Sequence, residues 1–370
     1  MKYILLYIML FLAPVFVNAQ EVFNEYQGTY RAKVVHILNE HIQEIPGTQT
    51  KQLIQIIEAE ILSGPQKGEV ITLTNDYIEL DEGDAFYFNY NVYIDGTEAH
   101  TIINIDRKNS LLLLSIIFII AVILFGGWQG ARSLLALVGS FFAIFYILIP
   151  GLLHGWNPIF ASFMVAAGIL FAAIFFTHGF NRESLVAYGG TMLAVFITTL
   201  FAIFAVSSTS LSGFASDEST YLNFNTRGTL DFVSLLLGAI IIGILGVLDD
   251  IAVTQAAVVT ELFDSNPQIT RTEVFTRALR IGREHVGALV NTLVLAYTGA
   301  SLPLLIYFYI SPTSFSGAIN SELFATEIVR TIVGSIGLIL TVPIVTLLAV
   351  LYLKNYTPSH IHTHSHGHHH

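Results

Sequence analysis

Two adjacent carboxylates lie inside a long apolar segment of this chain. Asp249 and Asp250 fall within a run that begins near Phe232 and extends to about Leu262. A single Asp at the centre of a bilayer costs roughly 2.5–3.5 kcal/mol even by the lower estimates, so such a pair persists only where it faces protein or water. The pair can exchange protons or bind a cation through oxygen ligands. The alternative is a helix cap or a position at the cytoplasmic interface, since about 20 residues already separate Leu230 from Asp249.

Other polar residues are predicted to complete a polar cavity around this pair. On a continuous helix Asp250 and Glu261 share a face, and Gln255 lies near its edge. The following apolar segment carries Glu284, His285 and Asn291. The seven-residue spacing of Glu284 and Asn291 places both on one stripe, and Asn291 is expected to find a partner across a helix. The alternative role for these residues is contact between helices.

Three glycines precede the acids, at Gly238, Gly243 and Gly246. Small residues let helix backbones approach closely in lipid, which predicts helix packing at these positions. Gly243 and Gly246 would also permit a break whose free carbonyl groups face a cavity. A later pair, Glu327 and Arg330, has the spacing of a helical ion pair and is predicted to be structural.

The C-terminal tail is rich in histidine. Clustered imidazoles bind Zn²⁺, Ni²⁺ or Cu²⁺, so the tail is a candidate metal site. The alternatives are a tail without a role and a sequence added for purification. The candidate ligands are His360, His362, His364 and His366.

Composition indicates an integral membrane protein. The chain is 54% hydrophobic and only 12% charged, with a mean hydropathy of +0.66. Ordinary soluble domains are about 25% charged. The absence of cysteine excludes disulfides, thiolate zinc sites and cysteine nucleophiles. Residues 1–19 read as a signal peptide, with Lys2, an apolar stretch and a small-residue cleavage site at Ala19. A retained first helix is the alternative.

Residues 20–106 are predicted to form a small extracytoplasmic all-β domain. Alternating runs separated by turn residues predict about five short strands and an OB-like barrel or sandwich. From Gln20 to Ser110 there are 15 acidic and six basic residues, a net charge of −9. That sign argues against nucleic-acid binding. The predicted strands are 30–38, 52–61, 69–73, 85–94 and 100–105.

Residues 107–354 are predicted to form an α-helical polytopic membrane domain of about seven spans, with eight as the alternative. Basic residues in alternate loops, such as Arg132 and Arg182, place those loops in the cytoplasm of a bacterial inner membrane. The C-terminus is then cytoplasmic, followed by the tail at 355–370. The predicted spans are 110–127, 131–150, 157–178, 184–206, 230–258, 285–309 and 325–353.

Three passages resemble the YibE/F family of bacterial membrane proteins. They are residues 59–69 of the β domain, the Asp106-Arg107 junction, and residues 243–252 around the Asp pair. The resemblance implies the architecture of a polytopic membrane protein with an exported β domain. It implies no substrate and no catalytic residues.

The sequence favours a transporter of a small solute or ion that uses the intramembrane carboxylates. The alternative is a non-transporting membrane scaffold or sensor whose β domain binds a partner. A P-loop, a paired-His zinc motif and a Gly-x-Ser-x-Gly elbow are all absent from the sequence, so no enzyme activity and no cofactor are predicted. The expected partners are the lipid bilayer, the unknown solute, and either a second copy or another protein.

Overall fold

The computed structural model describes residues 26–45, 47, 50–93, 97–266 and 268–353. The predicted signal peptide and the histidine-rich tail lie outside these residues. The chain divides into two compact units, with the division between Phe118 and Ile119.

An antiparallel half-barrel forms the N-terminal unit. Within the described residues it has five strands in the order β3-β2-β1-β4-β5. The long first strand pairs with β4 along its first half and with β2 along its second half. Register shifts between Val34 and His36 and between Ile37 and Asn39 accompany this change of partner. The strands are β1 Tyr26–Glu44, β2 Lys51–Ile61, β3 Val70–Asn75, β4 Ala85–Val92 and β5 Glu98–Ile105.

Alternation along the strands builds the core of this unit. Ala32, Ile57, Phe86 and Phe88 are almost fully buried, while the residues between them face outward or lie at the margin. This is the period of two expected for a sheet with one buried face. At the end of β5, the side chain of Asp106 is buried and pairs with Arg31 Nε at 2.6 Å.

The second part of the chain is helical. The helices are α1 Lys108–Ala143, α2 Ile149–Leu153, α3 Pro158–His178, α4 Arg182–Ser208, α5 Asp217–Asn225, α6 Phe232–Ser265, α7 Arg271–Ala300, α8 Leu302–Ile310, α9 Phe315–Ile319 and α10 Glu322–Tyr352. A π-helical turn, Ile144–Leu148, joins α1 to α2.

The number of membrane-length helices is lower than the sequence predicts. Among the described residues, five helical runs are long and apolar enough to cross a membrane, and α7 with α8 makes a sixth if the bent pair is one span. The difference has two local causes. The first two predicted spans form one run, Lys108–Leu153, and the predicted sixth span bends by 61° between α7 and α8.

The long first run is interrupted at Gly127, whose backbone has φ 54° and ψ −138°. Residues with a Cβ rarely adopt a positive φ, so glycine is required at this break. Just beyond it, a Cβ added to Gly130 would overlap the carbonyl oxygen of Val122. The chain therefore turns sharply here, and the helical run is not a straight rod.

A packed bundle of α4, α6 and α10 forms the centre of the second unit, with α3 against α6 and α7 against both α6 and α10. The helix α6 is continuous, without the break that Gly243 and Gly246 would permit. Small residues allow close crossings of these helices, as lipid-embedded packing requires. A Cβ on Gly337 of α10 would lie 2.6 Å from Thr198 Oγ1 of α4, and one on Gly190 would lie 2.6 Å from Val345.

Candidate functional site

The two carboxylates lie in different environments on α6. Asp250 is exposed, and Asp249 is half-buried. Adjacent side chains on an α-helix point about 100° apart. Asp249 therefore lies on the side of Ile242, which packs against an apolar cluster that includes the α3 residue Val165. Its Oδ1 atom is buried and has no hydrogen-bond partner among the described residues.

Asp250 lies at the centre of a strip that we call the open face of α6. The strip consists of exposed residues that recur at helical spacing along this helix: Gly243, Gly246, Asp250, Thr254, Ala257 and Glu261. The hydroxyl of Thr254 donates to the carbonyl oxygen of Asp250 at 2.7 Å, which is a bond within the helix. The side chain of Asp250 thus stays available on this face and is not packed in a dry contact.

Two histidines from neighbouring helices interact with Asp250. His178 is the last residue of α3, and His285 lies on α7. Both imidazoles interact electrostatically with the carboxylate of Asp250. The structure therefore places two imidazoles, from two neighbouring helices, within electrostatic range of one carboxylate on α6. Imidazole is the side chain whose ordinary pKa lies closest to neutral pH, so this group is suited to proton exchange.

Metal binding by this trio is not favoured by its geometry. Within the described part of the chain, no three His, Asp or Glu side chains lie close enough together to hold one metal ion. A cation held by oxygen ligands would need six or more donors for Ca²⁺. Proton exchange does not need several donor atoms arranged around one ion, so this arrangement favours it over metal binding.

The other predicted site residues lie at several places. Gln255 is 3% exposed and bonds to two helices, donating to the carbonyl of Ala278 at 3.0 Å and to Thr346 Oγ1 at 2.7 Å. It faces away from Asp250, in the packed centre. Glu261 lies on the open face of α6 but about 11 residues, or roughly 16 Å, beyond Asp250.

The polar stripe of α7 is exposed. Glu284 and Asn291 are both exposed, and no hydrogen bond from Asn291 is found among the described residues. The opposite side of the helix, with Val286, Leu289 and Val290, packs against the core that includes α6. The structure thus places His285 near Asp250, while Glu284 and Asn291 point to the surroundings of the bundle.

The three glycines differ in their surroundings. A Cβ on Gly238 would lie 2.5 Å from Ser162 Oγ of α3, so this position is a close helix contact. A Cβ on Gly243 would lie 3.4 Å from the hydroxyl oxygen of Tyr297. Gly246 borders open space, with nothing within 4 Å of an added Cβ.

A polar group near the first turns of α10 was not recognised as a site from the sequence. Arg330 Nη1 lies 3.2 Å from Glu327 Oε1, the predicted ion pair. Tyr297 of α7 interacts electrostatically with both members. Sequence spacing identified the pair, but the approach of Tyr297 depends on how α7 and α10 pack. The same limit applies to His178, which has the sequence signal of a lone histidine before Gly179 at a helix end.

The cavity between the π-helical turn and α3 is apolar and contains none of the predicted site residues. It measures about 560 Å³ and is lined by residues such as Ile147, Phe160 and Met164. A lining of this kind suits hydrocarbon rather than an ion.

The β half-barrel carries a separate polar cluster. Gln66 Nε2 donates to Glu98 Oε2 at 2.8 Å, and Gln66 Oε1 lies 3.0 Å from His100 Nε2. The ring of His100 stacks on Tyr90 at 5.2 Å. Burial lowers the pKa of His100 below its usual value, against the opposing effect of Glu98 and Glu69. Hydrogen bonds from Tyr90 and then Gln66 lower the pKa of Glu98.

Comparison with curated proteins and with solved structures gives no match. A family model does match, over residues 114–355, under the description YibE/F-like protein. That range covers most of the helical region and includes the passage around Asp249 and Asp250. The passages at residues 59–69 and at Asp106 lie outside it. The match covers more than half of the chain, and the chain belongs to the YibE/F-like family of proteins.

Proposed function

We propose that the protein is a transporter that moves a small solute or ion across the membrane along the open face of α6. The observation that carries this proposal is that Asp250 of α6 lies within electrostatic range of His178 on α3 and His285 on α7. A carboxylate and two imidazoles in an apolar bundle form a proton relay of the kind that transporters use. Asp249, whose buried oxygen has no hydrogen-bond partner in the described part of the chain, stores a second exchangeable proton beside it.

The proposal is tested by proton flux into vesicles that contain the purified protein and a pH-sensitive dye. Asp250→Asn keeps the volume of the side chain but removes its exchangeable proton, so flux should fall about tenfold or more. The matched control is Asp264→Asn, the same change on the same helix at an exposed position outside the trio. Both variants should melt at the temperature of the native protein.

A variant that lacks both carboxylates gives the clearest test of whether they have a role in transport. If Asp249→Asn with Asp250→Asn transports as fast per folded molecule as the native chain, the carboxylates have no role in transport. A panel of metal ions and amino acids, tested in the same vesicles, would identify the coupled solute.

Seven crossings are proposed for this family member. The run Lys108–Leu153 has 46 residues. At about 1.5 Å per residue it would be about 69 Å long if straight, more than twice the hydrocarbon thickness of about 30 Å. Division at Gly127 gives two crossings, and α7 with α8 gives one. The β half-barrel is then extracytoplasmic and the C-terminus cytoplasmic in a bacterial inner membrane. Reporters in the β4–β5 turn and at the C-terminus should lie on opposite sides.

A membrane sensor or scaffold is the second candidate, and the cluster around His100 is the observation that favours it. The strand order, with β3 and β5 at the two edges, supports an OB-like interpretation of the half-barrel, and OB-folds are binding modules. Under this alternative the native protein gives no flux above empty vesicles, and the half-barrel binds a partner.

A further inference from the structure

A second cavity lies at the first turns of α6, whereas the Asp pair lies near the middle of that helix. It measures about 520 Å³ and is bounded by the first turns of α6 and α10, the junction of α7 with α8, and the segment around α5. Its walls include Phe232, Leu236 and Leu304, and its polar residues include Thr326, Glu327 and Arg330. An apolar wall with a few convergent polar groups is the usual composition of a small-molecule site.

Two hydrogen-bond donors at this cavity are buried without a partner. Thr326 is only 2% exposed, and its Oγ1 has no hydrogen-bond partner among the described residues. The Nε atom of Arg330, one helical turn further along α10, is also buried and has no hydrogen-bond partner among these residues. A buried donor without an acceptor is unfavourable, because it has lost its hydrogen bonds to water and gained none in the protein. Native proteins rarely leave buried polar groups unsatisfied, so a ligand or ordered water is expected to bond to these two donors.

The charge of the cavity favours an acceptor with a negative charge. Arg330 forms an ion pair with Glu327 through Nη1 at 3.2 Å, and both side chains remain partly exposed. That pair occupies one side of the guanidinium and leaves its Nε–H without an acceptor in the described part of the chain. A guanidinium presents its donors in a planar fork that matches the two oxygens of a carboxylate. Glu322, the other acid at the start of α10, already accepts hydrogen bonds from the backbone N–H and the hydroxyl of Ser212.

We propose that this cavity binds a small organic carboxylate, whose oxygens accept from Arg330 Nε and Thr326 Oγ1 and whose apolar body lies against Phe232, Leu236 and Leu304. The site is separate from the Asp–His trio and does not depend on transport. Tyr297 lies between the two regions, since it interacts with Arg330 and its hydroxyl borders Gly243 on the open face of α6.

Binding of isovalerate to the full-length protein in detergent tests the site, with isovaleramide and isoamylamine as probes of equal size without the negative charge. Calorimetry should detect isovalerate alone, and isovalerate should raise the melting temperature. Equal binding of isovaleramide would overturn the proposal, as would a failure of isovalerate to bind. An equal rise with phosphate or chloride at the same ionic strength would overturn it too, because the apolar wall would then have no role.

Two variants locate the bound molecule. Thr326→Val keeps the shape but removes the hydroxyl, and should weaken isovalerate binding about tenfold, the value of one hydrogen bond to a charged group. Arg330→Lys keeps the charge but loses Nε, and should weaken binding at least as much. The control is Thr331→Val on the same helix, whose hydroxyl bonds to the Glu327 carbonyl and does not line the cavity. Unchanged binding in Thr326→Val and Arg330→Lys would overturn the assignment.

Discussion

The replacement of Gln255 by leucine distinguishes a packing role from a transport role for this side chain. We expect the change to lower the stability of the protein and to leave transport per folded molecule near the native value. The side chain is 3% exposed and donates to Ala278 O and to Thr346 Oγ1. Its Oε1 atom would lie 2.9 Å from a Cβ on Gly282, so the space around it is tightly filled. Leucine has a similar volume, so the change removes hydrogen bonds without opening a large cavity.

The size of the effect follows from the two lost bonds. Hydrogen bonds between membrane helices average about 0.6 kcal/mol and reach about 1.7 kcal/mol. Two of them give a loss of about 1–3 kcal/mol in the free energy of unfolding. The hydroxyl of Thr346 does not become an orphaned group, because it also donates to the carbonyl of Val342 at 2.6 Å. The loss should therefore stay near the lower part of this range.

A double-mutant cycle with Thr346→Val isolates the contact between the two side chains. Unfolding of the purified protein in detergent, measured for both single variants and the double variant, should give a coupling energy of about 0.6–1.7 kcal/mol. Flux per folded molecule should remain near the native value. A coupling of zero, or a loss of flux in Gln255→Leu at native stability, would refute the packing role and return Gln255 to the transport site.

Three further predictions concern the half-barrel and the glycines. Burial lowers the pKa of His100 in the folded state below its ordinary value of about 6.5, so the unfolded chain takes up a proton first and the free energy of unfolding decreases as the pH falls through that ordinary value. His100→Gln should reduce this pH dependence in thermal melts of the full-length protein, and an unchanged dependence would show that His100 does not cause it. Gly127→Ala should cost about 1–3 kcal/mol because of its positive φ, while the neighbouring helical Gly126→Ala should be neutral or stabilising in the same unfolding assay. Gly238→Ala should destabilise by about 1–3 kcal/mol through overlap with α3, whereas Gly246→Ala, which borders open space, should not; equal melting temperatures for the two would show that the packing at Gly238 is loose.

The β strands were predictable from sequence because one face of the sheet is buried and the period of two is therefore strict. The segment 52–61, for example, corresponds to Lys51–Ile61 in the structure. The first strand is longer than its alternating run, Tyr26–Glu44 against 30–38, because it changes partner part of the way along. Pairing across a sheet is a property of the whole unit, and the local pattern does not contain it.

The helical boundaries were harder to predict for a different reason. Hydropathy shows where a chain can lie in lipid, but not where a helix stops within an apolar run. The break at Gly127 depends on the backbone freedom of one glycine among several, since Gly126 beside it is helical. Likewise, the 61° bend after Ala300 falls just before Pro303, in a stretch whose hydropathy is continuous.

The Asp pair illustrates what adjacency can and cannot indicate. The sequence predicts one site that contains both Asp249 and Asp250, because neighbouring carboxylates raise the cost of each other's charge. On the continuous helix α6 they point about 100° apart, so the carboxylate of Asp249 is half-buried, whereas that of Asp250 is exposed and interacts with His178 and His285. Adjacency along a helix therefore connects two environments instead of forming one site. A proton that passes from Asp249 to Asp250 would move between the buried side of α6 and its open face, which is the step that a relay through this helix requires.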